Sequence, residues 1–152
     1  MKKLEISAYD LALRYVGVRE IAGDKDHPLI RWWHSLCSVQ DAHDEVPWCS
    51  AFMNGIAWEL RLPRSKSAAA RSWLQVGVPM HLHDSEPGFD VVILQRGEGK
   101  QPGPEVIAAP GHVGLFAGMQ LGKVLILGGN QGDEVNISAF PSERILGIRR
   151  LA

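Results

Sequence analysis

The chain has 152 residues, 45% of them hydrophobic, and a formal net charge of −1. That is enough apolar side chain for one core and too little length for two ordinary domains, so residues 1–152 read as a single domain. A charge near zero, with no basic run longer than a pair, argues against nucleic acid or an anionic membrane as a partner.

Met1-Lys2-Lys3 has the look of a secretory signal, but Glu5, Tyr9 and Asp10 interrupt the apolar stretch such a signal needs. No later stretch approaches membrane-spanning length. The expectation is a protein made in the cytoplasm, with no integral membrane segment, that acts outside only if something else releases it. Cys37 and Cys49 permit one disulfide, yet a reducing compartment favours free thiols.

In chain order, Leu11, Leu13, Tyr15 and Val16 predict a short helix over 7–16, closed near Gly17. Leu29, Ile30, Trp33, Leu36 and Cys37 fall at helical spacing and predict a second helix from Pro28 to Cys37, with Cys37 a small buried core residue. A third is predicted from Pro47 to about Arg61, with Pro47 at its first position and Val46 extended before it. Cys49 then falls in the first turn, among backbone N–H groups without helical acceptors, which stabilise a thiolate. Cys49, Met53, Ile56 and Leu60 form its inward stripe, with Phe52 beside it. Trp33, Trp58 and Trp73 fit core positions, whereas Trp48, next to the thiol, suits a substrate groove. After Pro63 a Ser- and Ala-rich piece leads to a short helix through Trp73, ended by Gly77 and Pro79.

The second half consists of short Val-, Ile- and Leu-rich runs at 90–95, 112–117, 123–127, 134–137 and 145–149, separated by Gly and Pro turns. They predict a small antiparallel sheet, with 96–110 a surface loop ending beside His112. Helices first and strands second imply an α+β domain in which the N-terminal helices pack on a C-terminal antiparallel sheet.

A cysteine attacks as thiolate, so it needs a lowered pKa, an imidazole to hold and deliver the proton, and a group to orient that imidazole. Cys49, His112 at a strand start and Asn130 in Gly128-Gly129-Asn130-Gln131 fit those roles in that order. Each alone is ordinary: a core thiol, a satisfied histidine, a turn. Together they point to a cysteine hydrolase. His81-Leu82-His83-Asp84 places two imidazoles two apart, as a metal site would, but reads better as a solvated loop. Asp41, Asp44 and Glu45 give no complete oxygen shell for calcium; tuning the helix end or lining the cleft suits them better. Gly97-Glu98-Gly99-Lys100 lacks phosphate-loop spacing. No metal and no cofactor are expected.

Pro47-Trp48-Cys49-Ser50-Ala51-Phe52, Ala70-Arg71-Ser72-Trp73-Leu74, Gly111-His112-Val113-Gly114 and Leu127-Gly128-Gly129-Asn130-Gln131, in that order, resemble phage and bacterial cell-wall hydrolases related to the CHAP and NlpC/P60 cysteine peptidases. Gly17, Glu20 and Gly23 before them, and Phe140-Pro141 and Leu146-Gly147-Ile148-Arg149 after them, extend the likeness over nearly the whole chain. The resemblance implies a papain-like single domain. It also implies cleavage of a peptidoglycan amide, as an endopeptidase or an N-acetylmuramoyl-L-alanine amidase, by a monomer. In these terms Cys49 is the nucleophile, His112 the base and acid, Asn130 the orienting residue, and Trp48, Glu45 and Gln131 bind substrate. Gly128 stands where many CHAP relatives have Glu, which leaves the third role open. The implied settings are a phage endolysin released by a holin, or an effector delivered by a secretion machine. A catalytically silent wall-binding module, and a metal hydrolase using His81, His83 and His112, are the competing readings.

Overall fold

The computed structural model describes residues 1–23, 26–38 and 47–152. Three helices come first: α1 (Ala8–Leu13), α2 (Pro28–Ser35) and α3 (Cys49–Glu59). Six strands follow, β1 (Val78–Met80), β2 (Asp90–Gln95), β3 (Gly111–Gln120), β4 (Lys123–Gly128), β5 (Asn136–Pro141) and β6 (Ile145–Arg150). They form one sheet in the order β1-β6-β2-β3-β4-β5, antiparallel throughout. The architecture is the α+β domain that the order of the elements predicts. No helix among the described residues is long and apolar enough to cross a membrane.

Local chemistry explains the helix starts. Ser7 and Asp10 close a capping box on α1, and Pro28 opens α2 behind His27, whose ring accepts the N–H of Leu29. α3 has no side-chain cap; it starts at Cys49, two residues later than predicted, with Trp48 as N-cap. All residues from Cys49 to Ala57 are buried, so α3 has no solvent face and shows no single stripe. It lies between the sheet and the other helices, and only at its C-terminal end does Trp58 emerge, half exposed and edge-on to Trp32.

The sheet is buried on both faces at its centre. Val91, Ile93, Val113, Leu115 and Leu127 join the helices in one cluster, while Val92, Leu94, Phe116, Val124, Ile126 and Ile148 form a second on the other face. This is why β2 reads as a continuous apolar run in the sequence instead of an alternation. β1 escapes sequence reading because it is three residues long, with a proline at its centre, on a sheet edge.

Close helix packing depends on Gly55 in α3. A Cβ there would stand 2.3 Å from Cδ1 and 2.7 Å from Nε1 of Trp33, a completely buried indole with no room to withdraw. On an exposed helix, Gly→Ala stabilises by about 1 kcal/mol. Here the overpacking cost, about 1–3 kcal/mol or more, outweighs that gain. Gly55→Ala is therefore expected to lower the urea midpoint and the Tm; an unchanged or raised midpoint would refute this account of the α2–α3 contact.

Candidate active site

α3 delivers Cys49 and β3 delivers His112 to the same place. Cys49 is the first residue of its helix and His112 the second of its strand, paired in register with Leu94 of β2. There the thiol and the imidazole stand close enough for each to change the other's proton affinity, and the backbone of Val113 acts on the thiol as well. Burial pushes the Cys49 thiol up, but the hydrogen bond and charge of His112, the Val113 backbone and the charge of Arg96 together bring it below the ordinary thiol value. For His112 burial acts downward and Arg96 adds to it, yet the thiol's hydrogen bond and charge and the Gln131 amide raise the imidazole above its usual range. The two shifts run in the directions that favour a thiolate–imidazolium pair. Cys37 behaves differently: burial, partly offset by the charge of Arg64, pushes its thiol up to about 11. Both cysteines are free.

The group on the far side of the imidazole is Gln131. Its Oε1 lies 2.9 Å from His112 Nε2. Gln131 Nε2 faces three acceptors, the carbonyls of Ile126 (3.1 Å) and Asn136 (2.8 Å) and Oδ1 of Asn136 (2.9 Å), which fixes the orientation of the amide. Oε1 therefore accepts from the ring, Nε2 of His112 carries the proton, and Nδ1 is left to face the sulfur. Asn136 is held in turn by Ser138 (2.6 Å), by the carbonyl of Gln131 (2.8 Å) and by Glu134 (3.0 Å). Gly128 makes room for this: a Cβ there would lie 2.7 Å from Gln131 Oε1.

Two of the residues singled out from the sequence, Asn130 and Trp48, lie elsewhere than expected. Asn130 makes the turn, with φ 56°, and lines the neighbouring pocket while the orienting contact goes to Gln131. Gln131 itself is buried behind the histidine, where it holds the ring, and it also reaches the wall of that pocket. Trp48 is completely buried: it stacks on Trp33 at 5.9 Å, donates its indole N–H to Glu20 at 2.9 Å, and lies against Gly129. It supports the site from within and has no face for a substrate. Glu45, with Asp41 and Asp44, lies outside the described residues. His81 and His83 stack on each other at 5.7 Å in an exposed turn, with His83 beside Asp84. Among the described residues no three His, Cys, Asp or Glu side chains converge as a metal site.

One supporting residue carried no assigned role in the sequence. Arg71 is completely buried and donates from Nε to the carbonyl of Pro110 (2.9 Å), and from Nη1 to those of Pro102 (3.0 Å), Gly103 (2.7 Å) and Val106 (3.2 Å). It ties down the loop that runs straight into Gly111 and His112. Two open pockets flank the pair. One, of about 520 Å³, is bounded by His112, Asn130, Ser138, Phe140, Arg96 and Arg144. The other, of about 320 Å³, has Cys49 in its wall with Ala68, Ala69, Ala108, Pro110 and Arg96.

Neither a protein-family model nor a curated protein matches the sequence. Its fold, however, matches solved structures. NlpC1 and NlpC2 from Trichomonas vaginalis each align over 95% of this chain with a TM-score of 0.57 and 20% sequence identity. The chain spans 42% and 44% of their respective lengths. At this identity the likeness is one of fold, and the fold is the NlpC/P60-type α+β arrangement of a few helices against a six-stranded antiparallel sheet.

The geometry makes the thiol measurable without any substrate. Iodoacetamide should modify Cys49 with a pH midpoint below the ~8.5 of a free cysteine, and much faster near neutrality than Cys37. His112→Ala removes the hydrogen bond and the cation that lower the thiol, so the midpoint moves up. Gln131→Ala moves it up by less, and Asn130→Ala leaves it in place. Site-resolved mass spectrometry across pH decides the matter: a larger shift for Asn130→Ala than for Gln131→Ala would reverse the assignment of the orienting residue.

Proposed function

We propose that this protein is a cysteine peptidase or amidase that hydrolyses an amide bond in the peptide of peptidoglycan. The observation that carries the reading is the series Cys49–His112–Gln131, in which the amide holds the imidazole, the thiol is shifted down and the imidazole up, with an open pocket on each side. The NlpC/P60-type fold supports the class, and the resemblance of the four sequence motifs to cell-wall hydrolases supports the substrate.

In this mechanism the Cys49 thiolate attacks the amide carbonyl carbon, forming the C–S bond. Charge moves to the carbonyl oxygen, where N–H groups of the first turn of α3 lack helical acceptors and favour an anion. As the C–N bond breaks, His112 gives its Nδ1 proton to the leaving amine. Neutral His112 then takes a proton from water, the hydroxide attacks the thioester, and the acid product leaves as the thiolate and imidazolium re-form. Gln131 Oε1 accepts from Nε2 throughout and keeps the ring in the one tautomer that can do this.

Two further parts of the proposal concern setting. The enzyme works on the wall after release from the cytoplasm, as a phage endolysin let through by a holin or as an antibacterial effector carried by a secretion machine. It acts without a metal.

Release of soluble fragments from purified sacculi tests the reading. The native protein should release them equally with and without EDTA, and Cys49→Ala should reduce release by at least ~10⁴-fold while keeping its Tm, since nothing else in the site can take the nucleophile's place. Turnover by Cys49→Ala at the native rate would end the thiol mechanism. Loss of turnover on chelation would favour the metal reading, and a folded native protein that binds sacculi without cutting them would favour the silent module.

A further inference from the structure

Among the described residues Arg96 alone lines both pockets beside the reactive pair, the larger on the His112 side and the smaller on the Cys49 side. It is exposed, and it makes no hydrogen bond or ion pair among the described residues. Its charge nevertheless reaches both members of the pair, acting on Cys49 and His112 alike. A second guanidinium stands in the wall of the larger pocket: Arg144, half-buried, spends one N–H on the carbonyl of Gly97 (2.8 Å). Ser138 and Asn130 add a hydroxyl and an amide, and Glu98 is the only acid among the described residues of that wall. Among the described residues two cations against one anion make this wall attractive to negative charge, and an arginine without a partner among them presents its planar fork to a carboxylate or similar oxyanion.

Resting on the peptidase reading above, we propose that Arg96, with Arg144 behind it, forms a subsite for a free carboxylate of the substrate peptide next to the amide that is cut. Its place at the meeting of the two pockets puts the anion beside the scissile bond, on neither side remote from it. The smaller pocket, walled largely by alanines and prolines, takes the uncharged remainder on the Cys49 side. Selection is then for stem peptides whose carboxylates are free, against those whose carboxylates are capped as amides.

Binding to the full-length Cys49→Ala protein separates this proposal from the chemistry. A defined muropeptide with free carboxylates and the same muropeptide with those carboxylates amidated are titrated calorimetrically. The free form should bind at least ~10-fold more tightly, the scale of one charge-assisted hydrogen bond. Arg96→Gln should abolish the difference, Arg96→Lys should keep part of it, and Arg144→Gln should reduce it by less than Arg96→Gln. In the native enzyme, Arg96→Gln should raise KM for the free form more than it lowers kcat. Equal affinities for the two peptides, a preference that survives Arg96→Gln, or no measurable binding of the free form would each overturn the subsite, even with turnover intact. A carboxylate preference that depends on Arg96, in a protein that cleaves neither peptide, would instead refute the peptidase reading and leave the subsite standing.

Discussion

The hydrogen bond from His112 Nε2 to Gln131 Oε1 is the contact on which the site depends. An imidazole between a thiol and an amide works only if its tautomer and tilt are fixed, and here both are set from behind. Gln131 is locked by Asn136, Asn136 by Glu134 and Ser138, and Glu134 pairs with Arg19. The same stretch is bound to the N-terminal segment through its backbone: Gly17 N–H to Val135 (2.9 Å), Val135 N–H to Val18 (2.8 Å) and Glu20 N–H to Asp133 (3.0 Å). Glu20 also accepts the indole N–H of Trp48, immediately before the thiol. Residues 17–20 therefore brace the nucleophile's helix and the orienting amide at once, which gives a physical reason for Gly17 and Glu20 to accompany the cysteine and histidine motifs in the sequence.

Much of this could be read from the sequence, and what could not has identifiable causes. The order of helices and strands, the thiol in the first turn of α3 and the histidine at the start of β3 follow from local periodicity and breakers. The third member of the series lies one position beyond Asn130, at Gln131. Asn is well suited to a left-handed turn residue, and Asn130 takes that part at φ 56°, which leaves the next side chain to reach the ring. Which of two neighbouring amides turns inward is set by the acceptors on β4 and β5, and no local pattern contains them. Adjacency to the cysteine suggests a groove wall for Trp48, yet its side chain is completely buried. Its burial depends on Trp33, Gly129 and Glu20, all far away along the chain.

Arg71 and Arg96 show the same limit from opposite sides. Arginines default to the surface in any sequence reading. Arg71 is completely buried because carbonyls more than thirty residues on curl around it and supply the negative ends of their dipoles in place of a carboxylate. The result is a loop anchored from inside the protein, so that the strand carrying His112 begins from a fixed point. Arg96, in a stretch that reads as an ordinary solvated loop, gains meaning only from the two pockets that meet at it.

The electrostatics of the reactive pair tie these elements together. Cys49 is nearly buried, and burial alone would leave it a protonated, inert thiol like Cys37. His112 supplies the largest part of what opposes this, and its own charge is held against burial first by the thiol's hydrogen bond and charge and then by the Gln131 amide. Arg96 acts on the two partners in the same direction, lowering both. The proton's preference between sulfur and nitrogen depends on the difference between the two affinities, and a shift common to both leaves that difference unchanged to first order. Neutralising Arg96 with a substrate carboxylate therefore moves the pH window of the ion pair upward without collapsing the pair. A cation in this position can serve recognition beside the nucleophile because the charge separation it overlooks is maintained by Cys49 and His112 acting on each other and by the Gln131 amide that holds the ring.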